Sequence, residues 1–142
     1  MANEQQLDNA YMEMAISMSK LSKGVRLKVG AIAVTKNGVI ITGVNGLPKV
    51  FGNVLEDTID GKLVTKPDVI HAENNILVKA AREGVSMIDS VVYITTAPCR
   101  HCSSMLIACG VKRVVYLDEY RDIKGVHNLI YAGIKIKKLV ML

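Results

Sequence analysis

Apolar positions along this chain repeat with two periods, and the change of period marks out its elements. Leu7, Ala10, Tyr11, Met14, Met18 and Leu21 fall at i, i+3, i+4 and i+7 spacing, which lines one face of a helix. Asn3 with Gln6 suits a capping box at its start, and Gly24 suits its stop. Two β-rich runs follow, Val29 to Thr35 and Val39 to Val44, flanking Lys36-Asn37-Gly38. Asn-Gly between apolar runs signals a tight hairpin, because both residues tolerate positive φ. From Asn45 to Val69 the period disappears, and Gly46, Pro48, Gly52, Gly61 and Pro67 punctuate the stretch. So long a segment without an element is usually functional, so a substrate or effector loop is expected there.

Periodicity then resumes. His71 opens a second helix with Ile76, Leu77, Ala80 and Ala81 on its apolar face and Gly84 as its stop. Val91 to Thr95 reads as a short, fully buried strand. Pro98 introduces a third helix carrying Met105, Leu106 and Ile107 and ended by Gly110. Arg113 to Leu117 is a strand, Val126 to Ala132 a short helix before Gly133, and Ile134 to Met141 a closing strand. Strands alternating with helices require right-handed crossovers and a sheet covered on both faces. The predicted fold is therefore α/β: a three-layer α/β/α sandwich on a five-stranded mixed sheet, its last two strands parallel.

Composition narrows the class. At 142 residues, half of them hydrophobic, residues 1–142 suit a single domain with a core of its own. No apolar run approaches the roughly 20 residues of a membrane span, and Met1 to Gln6 lacks the basic and apolar regions of a signal peptide. A soluble, cytoplasmic protein is expected. Three cysteines, two of them in one C-x-x-C, argue against a disulfide framework. The formal charge of +5 suits an anionic partner. A solvated strand face accounts for part of it, through Lys135, Lys137 and Lys138.

Two short segments carry the chemistry. His71-Ala72-Glu73 supplies an imidazole and, two residues on, a carboxylate; Pro98-Cys99-Arg100-His101-Cys102 supplies two thiols. Catalytic zinc takes three protein ligands and keeps a fourth position for water, whereas structural zinc is closed by four. His71, Cys99 and Cys102 make the first kind of set, with Glu73 left to handle protons. Cys109 lies about 10 Å further along the third helix than Cys102, too far to be a fourth ligand. Both segments open helices, so each dipole's positive end favours thiolate at Cys99.

H-x-E with P-C-x-x-C resembles the cytidine deaminase-like zinc deaminases. Within them the chain is most similar to the deoxycytidylate (dCMP) deaminases of viral or phage type. The likeness runs through Lys28-Val29-Gly30-Ala31, Gly43-Val44-Asn45-Gly46-Leu47-Pro48, His71-Ala72-Glu73 and Pro98 to Cys102. It implies Zn²⁺ on His71, Cys99 and Cys102, and Glu73 as proton shuttle in hydrolysis of dCMP, and of dCTP as a second substrate. It further implies that Asn45 binds the sugar and that Tyr120 packs on base or phosphate. In such enzymes dCTP with Mg²⁺ activates and dTTP inhibits a homohexamer. That effector role would fall on Gly43, Asn45, Gly46, Lys79 and Arg82 here. Val44 departs from a frequent aromatic residue and Arg100 from a frequent proline. Residues 53–69 contain no Cys or His for a second zinc.

Other functions compete. A tRNA-editing deaminase shares both motifs but needs stacking aromatics; this chain is 4% aromatic with no Trp, which disfavours nucleic acid. A silent zinc-binding interaction module would not need Glu73. A small nucleotide is thus the expected substrate, handled in the cytoplasm, or in a host's cytoplasm if the chain is viral.

Overall fold

The computed structural model describes residues 1–141. In chain order the elements are α1 (Glu4–Ser19), β1 (Gly30–Val34), β2 (Ile40–Val44), a 3₁₀ turn (Lys49–Phe51), β3 (Glu56–Ile59), β4 (Lys62–Thr65) and α2 (Ala72–Glu83). They continue with β5 (Val91–Thr96), α3 (Arg100–Ala108), β6 (Arg113–Asp118), α4 (Lys124–Tyr131) and β7 (Lys135–Lys138). The main sheet has five strands in the order β2-β1-β5-β6-β7. β1 runs antiparallel to β2 and β5, whereas β5, β6 and β7 are mutually parallel, as the alternation of helices and strands predicts.

Register sorts the side chains by face. Ile41, Ala33, Val92, Val114 and Ile136 stand in one row across the sheet, and they pack under α2, α3 and α4. One residue along, Thr42, Ile32, Tyr93, Val115 and Lys137 form the opposite row, where α1 lies. The period of two makes the three layers.

Several sequence expectations need correction. The buried face of α1 is Asp8, Met12 and Ala15, while Leu7 and Met14 are exposed and Leu21 lies beyond the helix, also exposed. The stripe was misplaced because its true centre carries a charge. Asp8 accepts two bonds from Arg113 (2.8 and 2.7 Å), one from the Tyr93 hydroxyl (2.8 Å) and one from Lys137 (3.3 Å). Lys137 is thus only partly solvated and is the fourth member of a polar cluster built on the buried Asp8. The helix also stops at Ser19, well before Gly24.

The two hairpins exchange roles. At Asn37-Gly38 only Gly38 takes positive φ (84°), with its N–H bonded to the Thr35 carbonyl, so the turn is a type I turn with a glycine bulge. The two-residue primed turn sits instead at Asp60-Gly61 (φ 51° and 76°), joining β3 to β4 inside the stretch expected to be loop.

Candidate metal centre and substrate cleft

Parallel α/β sheets place their ligands beyond the carboxyl ends of the strands, near the point where strand direction changes. Here β5 is that strand: antiparallel to β1 on one side, parallel to β6 on the other, and running at Thr96 into Ala97-Pro98-Cys99. The Ala97 N–H bonds the Asp118 carbonyl (2.8 Å), which ties this loop to the end of β6. Cys99 is the N-cap of α3, and its sulfur accepts from the Cys102 N–H at 3.5 Å. His71 is the N-cap of α2, extended in backbone, with its carbonyl accepting from the Asn75 N–H.

Two helix starts thus meet. The His71 Nδ1 lies 3.2 Å from the Cys102 Sγ and 3.6 Å from the Cys99 Sγ, and the three donor atoms all fall within 4.8 Å of one another. Tetrahedral zinc with bonds of about 2.0–2.3 Å needs N-to-S edges of about 3.5 Å, so the set fits that ion in both spacing and donor type. Cys109 caps the far end of α3, and His101 and His127 are exposed; none joins the cluster.

Charge is arranged to match. The Cys99 thiol is brought down to about 3 by the S–H of Cys102, with burial opposing and His71 and the Cys102 N–H assisting. Cys102, the donor, is pushed up by Cys99 and by burial. His71 is raised, first by its bond to Cys99. Glu73 sits one turn-start residue inside α2 and is 3% exposed. Burial lifts its carboxyl to about 7, against the pull of its backbone N–H and of His71.

A cleft is lined by His71, Glu73 and Cys99 together with Arg26, Lys66 and Arg121. Asn45 and Tyr120 also line it. Both ends of the Asn45 amide are engaged: Oδ1 accepts from the Val29 N–H and Nδ2 donates to the Leu27 carbonyl, each at 2.9 Å. One Nδ2 proton stays free for a ligand.

The residues expected to form an effector site are dispersed. Lys79 and Arg82 border a separate hollow of about 470 Å³ beside Thr42, and the Lys79 Nζ donates to the Thr42 carbonyl at 2.7 Å. Gly43 faces α2 so closely that a Cβ there would stand 2.1 Å from the Ala72 carbonyl oxygen. Gly46 pairs with Ile70 in a two-bond bridge. Arg121 lines the cleft, whereas the Lys28 Nζ donates to the Ser22 carbonyl at 3.0 Å. Arg26 and Lys66 also line the cleft and are not among the site residues that the motifs indicate; the Asp-Gly turn that folds β4 back is the sequence signal that could have found Lys66.

Comparison with known proteins decides the family. Residues 5–118 match the profile described as the cytidine and deoxycytidylate deaminase zinc-binding region. The chain belongs to this family. Among zinc-binding deaminases of this kind, the deoxycytidylate deaminase of Schizosaccharomyces pombe is 32% identical, over 94% of this chain and 44% of that protein. That of Mycobacterium phage D29 is 33% identical over 79% of this chain and 94% of its own length. The chain spans 44% of the length of the two fungal relatives. A dCMP deaminase from the cyanophage S-TIM5, solved with dCMP and dUMP, superposes with a TM-score of 0.88 at 40% identity, covering 97% of this chain and 100% of that one. The cytidine deaminase-like sandwich expected from the motifs is the fold observed. Among the described residues, no helix is long and apolar enough to cross a membrane.

Proposed function

We propose that this chain catalyses the hydrolytic deamination of dCMP to dUMP, with release of ammonia. The observation that carries the reading is the convergence of one imidazole and two thiols beside a buried carboxylate, in a cleft that Arg26, Lys66 and Arg121 also line. His71, Cys99 and Cys102 would hold Zn²⁺. When bound, the ion supplies Lewis acidity sufficient to bring a water molecule's pKa to about 7.

The remaining work belongs to the chain. Glu73, poised near neutrality, takes a proton from the attacking water and holds it at a carboxyl oxygen. It passes that proton to the ring nitrogen next to the reacting carbon. Glu73 then takes the second proton, from the hydroxyl now on the reacting carbon, and delivers it to the departing amine, so the C–N bond breaks as the C=O forms and ammonia leaves. Asn45 offers its free Nδ2 proton to a sugar hydroxyl, and Tyr120 offers a face to the base.

The finer assignments follow the family likeness. dCTP is proposed as a second substrate and dUMP as a precursor for thymidylate synthesis in the cytoplasm. We also propose activation by dCTP with Mg²⁺, inhibition by dTTP and a homohexameric assembly. A mechanical route supports the regulatory reading: Gly43 rests on Ala72, beside His71 and Glu73, while Lys79 and Arg82 of the same helix border the outer hollow.

The test is ammonia release from dCMP, dCTP, cytidine and tRNA by zinc-loaded protein. Turnover of dCMP is expected, with dCTP raising it and dTTP lowering it. Turnover of tRNA alone would sink the reading, and indifference to both triphosphates would remove its regulatory part.

A further inference from the structure

β2 is an edge strand of the sheet, so one side of its backbone has no strand to pair with. The alternation of an antiparallel ladder decides which groups lie on that side. The Val39 carbonyl accepts from the Thr35 N–H and the Asn45 N–H donates to the Val29 carbonyl, so odd-numbered residues turn toward β1. The Thr42 and Val44 carbonyls therefore turn outward, and both are taken by side chains of α2. The Asn75 Nδ2 donates to the Val44 carbonyl, and the Lys79 Nζ donates to the Thr42 carbonyl at 2.7 Å. Four helix residues advance about 6 Å and two strand residues about 6.8 Å, so the two bonds match about one turn of α2 to one repeat of β2, in opposite directions.

The two ties differ in stiffness. A lysine reaches along a flexible four-carbon stem and tolerates a range of separations, whereas the short asparagine side chain fixes one. Asn75 is also built into the helix start: its own N–H donates to the His71 carbonyl at 2.9 Å, closing the turn that presents His71 and Glu73. On the strand side, Val44 leads directly to Asn45, whose amide is fixed on Leu27 and Val29. Gly43 lets the two elements touch, since a Cβ there would stand 2.1 Å from the Ala72 carbonyl oxygen. Gly43 thus sets how near α2 lies to β2, and Asn75 sets how far along it.

Resting on the deaminase reading, we propose that Asn75 is a positioning residue for the reaction, setting the span between the Glu73 carboxylate and the Asn45 amide through its bond to Val44. It acts through these two groups and not on the substrate. A nucleotide held by its sugar at Asn45 presents its reacting carbon to Glu73 only when that span is right, and an error of about 1 Å can cost about a hundredfold in rate. Binding needs less accuracy than proton transfer, so the span bears on kcat.

Variants of the zinc-loaded protein test this. Asn75→Ala and the isosteric Asn75→Asp, which turns an acceptor toward the Val44 carbonyl, are each expected to lower kcat for dCMP about tenfold or more. Asn75→Ser, which keeps a donor, should lose less, and it replaces Asn75→Ala if that variant does not fold. The dissociation constant for dUMP, from calorimetry, should stay within about threefold, with zinc content at the wild-type level. In an Asn45→Ala background the same change at Asn75 should cost less than about threefold, because the span has lost one end. Leu77→Ala separates positioning from stability: it truncates a buried side chain of α2 away from the tie, and should lower the urea midpoint at least as much while kcat holds. Unchanged kcat in the Asn75 variants overturns the proposal. So does an equal loss with and without Asn45, a matching loss of dUMP binding, or a fall in kcat for Leu77→Ala as large as that for Asn75→Ala. A wild-type protein that releases no ammonia from dCMP overturns the deaminase reading and the role of Asn75 together; wild-type turnover with full kcat in the Asn75 variants overturns the role of Asn75 alone.

Discussion

Glu73 owes its value to burial at a helix start: the same desolvation that raises its carboxyl to about 7 lets one group accept and return a proton near neutral pH. Glu73→Gln keeps the volume and removes the titration. It is expected to lower kcat about 10²- to 10⁴-fold while zinc content, measured by mass spectrometry, stays at the wild-type level. His71→Ala or Cys102→Ala should act differently, abolishing both stoichiometric zinc and activity. These residues were legible because the two spacings, H-x-E and C-x-x-C, are local and each opens a helix. Asn45 was legible as a position, but its bonds to Leu27 and Val29 come from tertiary contact. Arg26 was not legible, since nothing in its neighbours announces a carboxylate thirty residues away.

At the scale of elements, the metal loop depends on how α4 packs against it. Gly125 lies in the first turn of α4 against Pro98 and Cys99, and a Cβ there would stand 2.3 Å from the Pro98 carbonyl oxygen and 2.7 Å from the Cys99 carbonyl carbon. Asp122 joins the same two helix starts, accepting from the Arg100 Nε at 2.8 Å and from the Lys124 N–H at 2.9 Å. Gly125→Ala is therefore expected to displace Cys99 and to weaken zinc binding about tenfold or more, read by competition with a chromophoric chelator. The parallel half of the sheet was legible because β5, β6 and β7 alternate with periodic helices. The β3–β4 hairpin was not, since both strands are largely exposed and so show no alternation between a buried and a solvated face.

For the molecule as a whole, the Asp8 cluster joins α1 to β5, β6 and β7 on the side of the sheet away from the cleft. Burial alone would raise the Asp8 carboxyl, but the bonds from Arg113, Tyr93 and Lys137 outweigh it and hold the group below its usual range. A depressed carboxylate contributes stability above its unfolded pKa of about 3.9, and loses it as pH falls through the folded value. Asp8→Asn should therefore cost about 3 kcal/mol at neutral pH and show a flatter acid limb when urea midpoints are followed downward from pH 6. Arg113→Ala should be at least as damaging, because it strands a buried charge. The layer order followed from pattern alone, while this cluster did not: a charged residue at the centre of a helix face reads as solvent-facing until its partners are known.

The bridge between Gly46 and Ile70 closes residues 47–69 into an excursion whose two ends already meet. Such a neck uncouples length from framework. Chain can be gained or lost at the exposed Asp60-Gly61 tip at an entropic cost that grows only logarithmically, while β2 and α2 stay where they are. Within the excursion Thr65, Lys66, Pro67 and Val69 line the cleft, and Glu56 accepts from the Val25 and Arg26 N–H groups. The fold thereby carries a site for insertion and deletion next to the cleft, where length can change without dismantling the His71, Cys99 and Cys102 cluster.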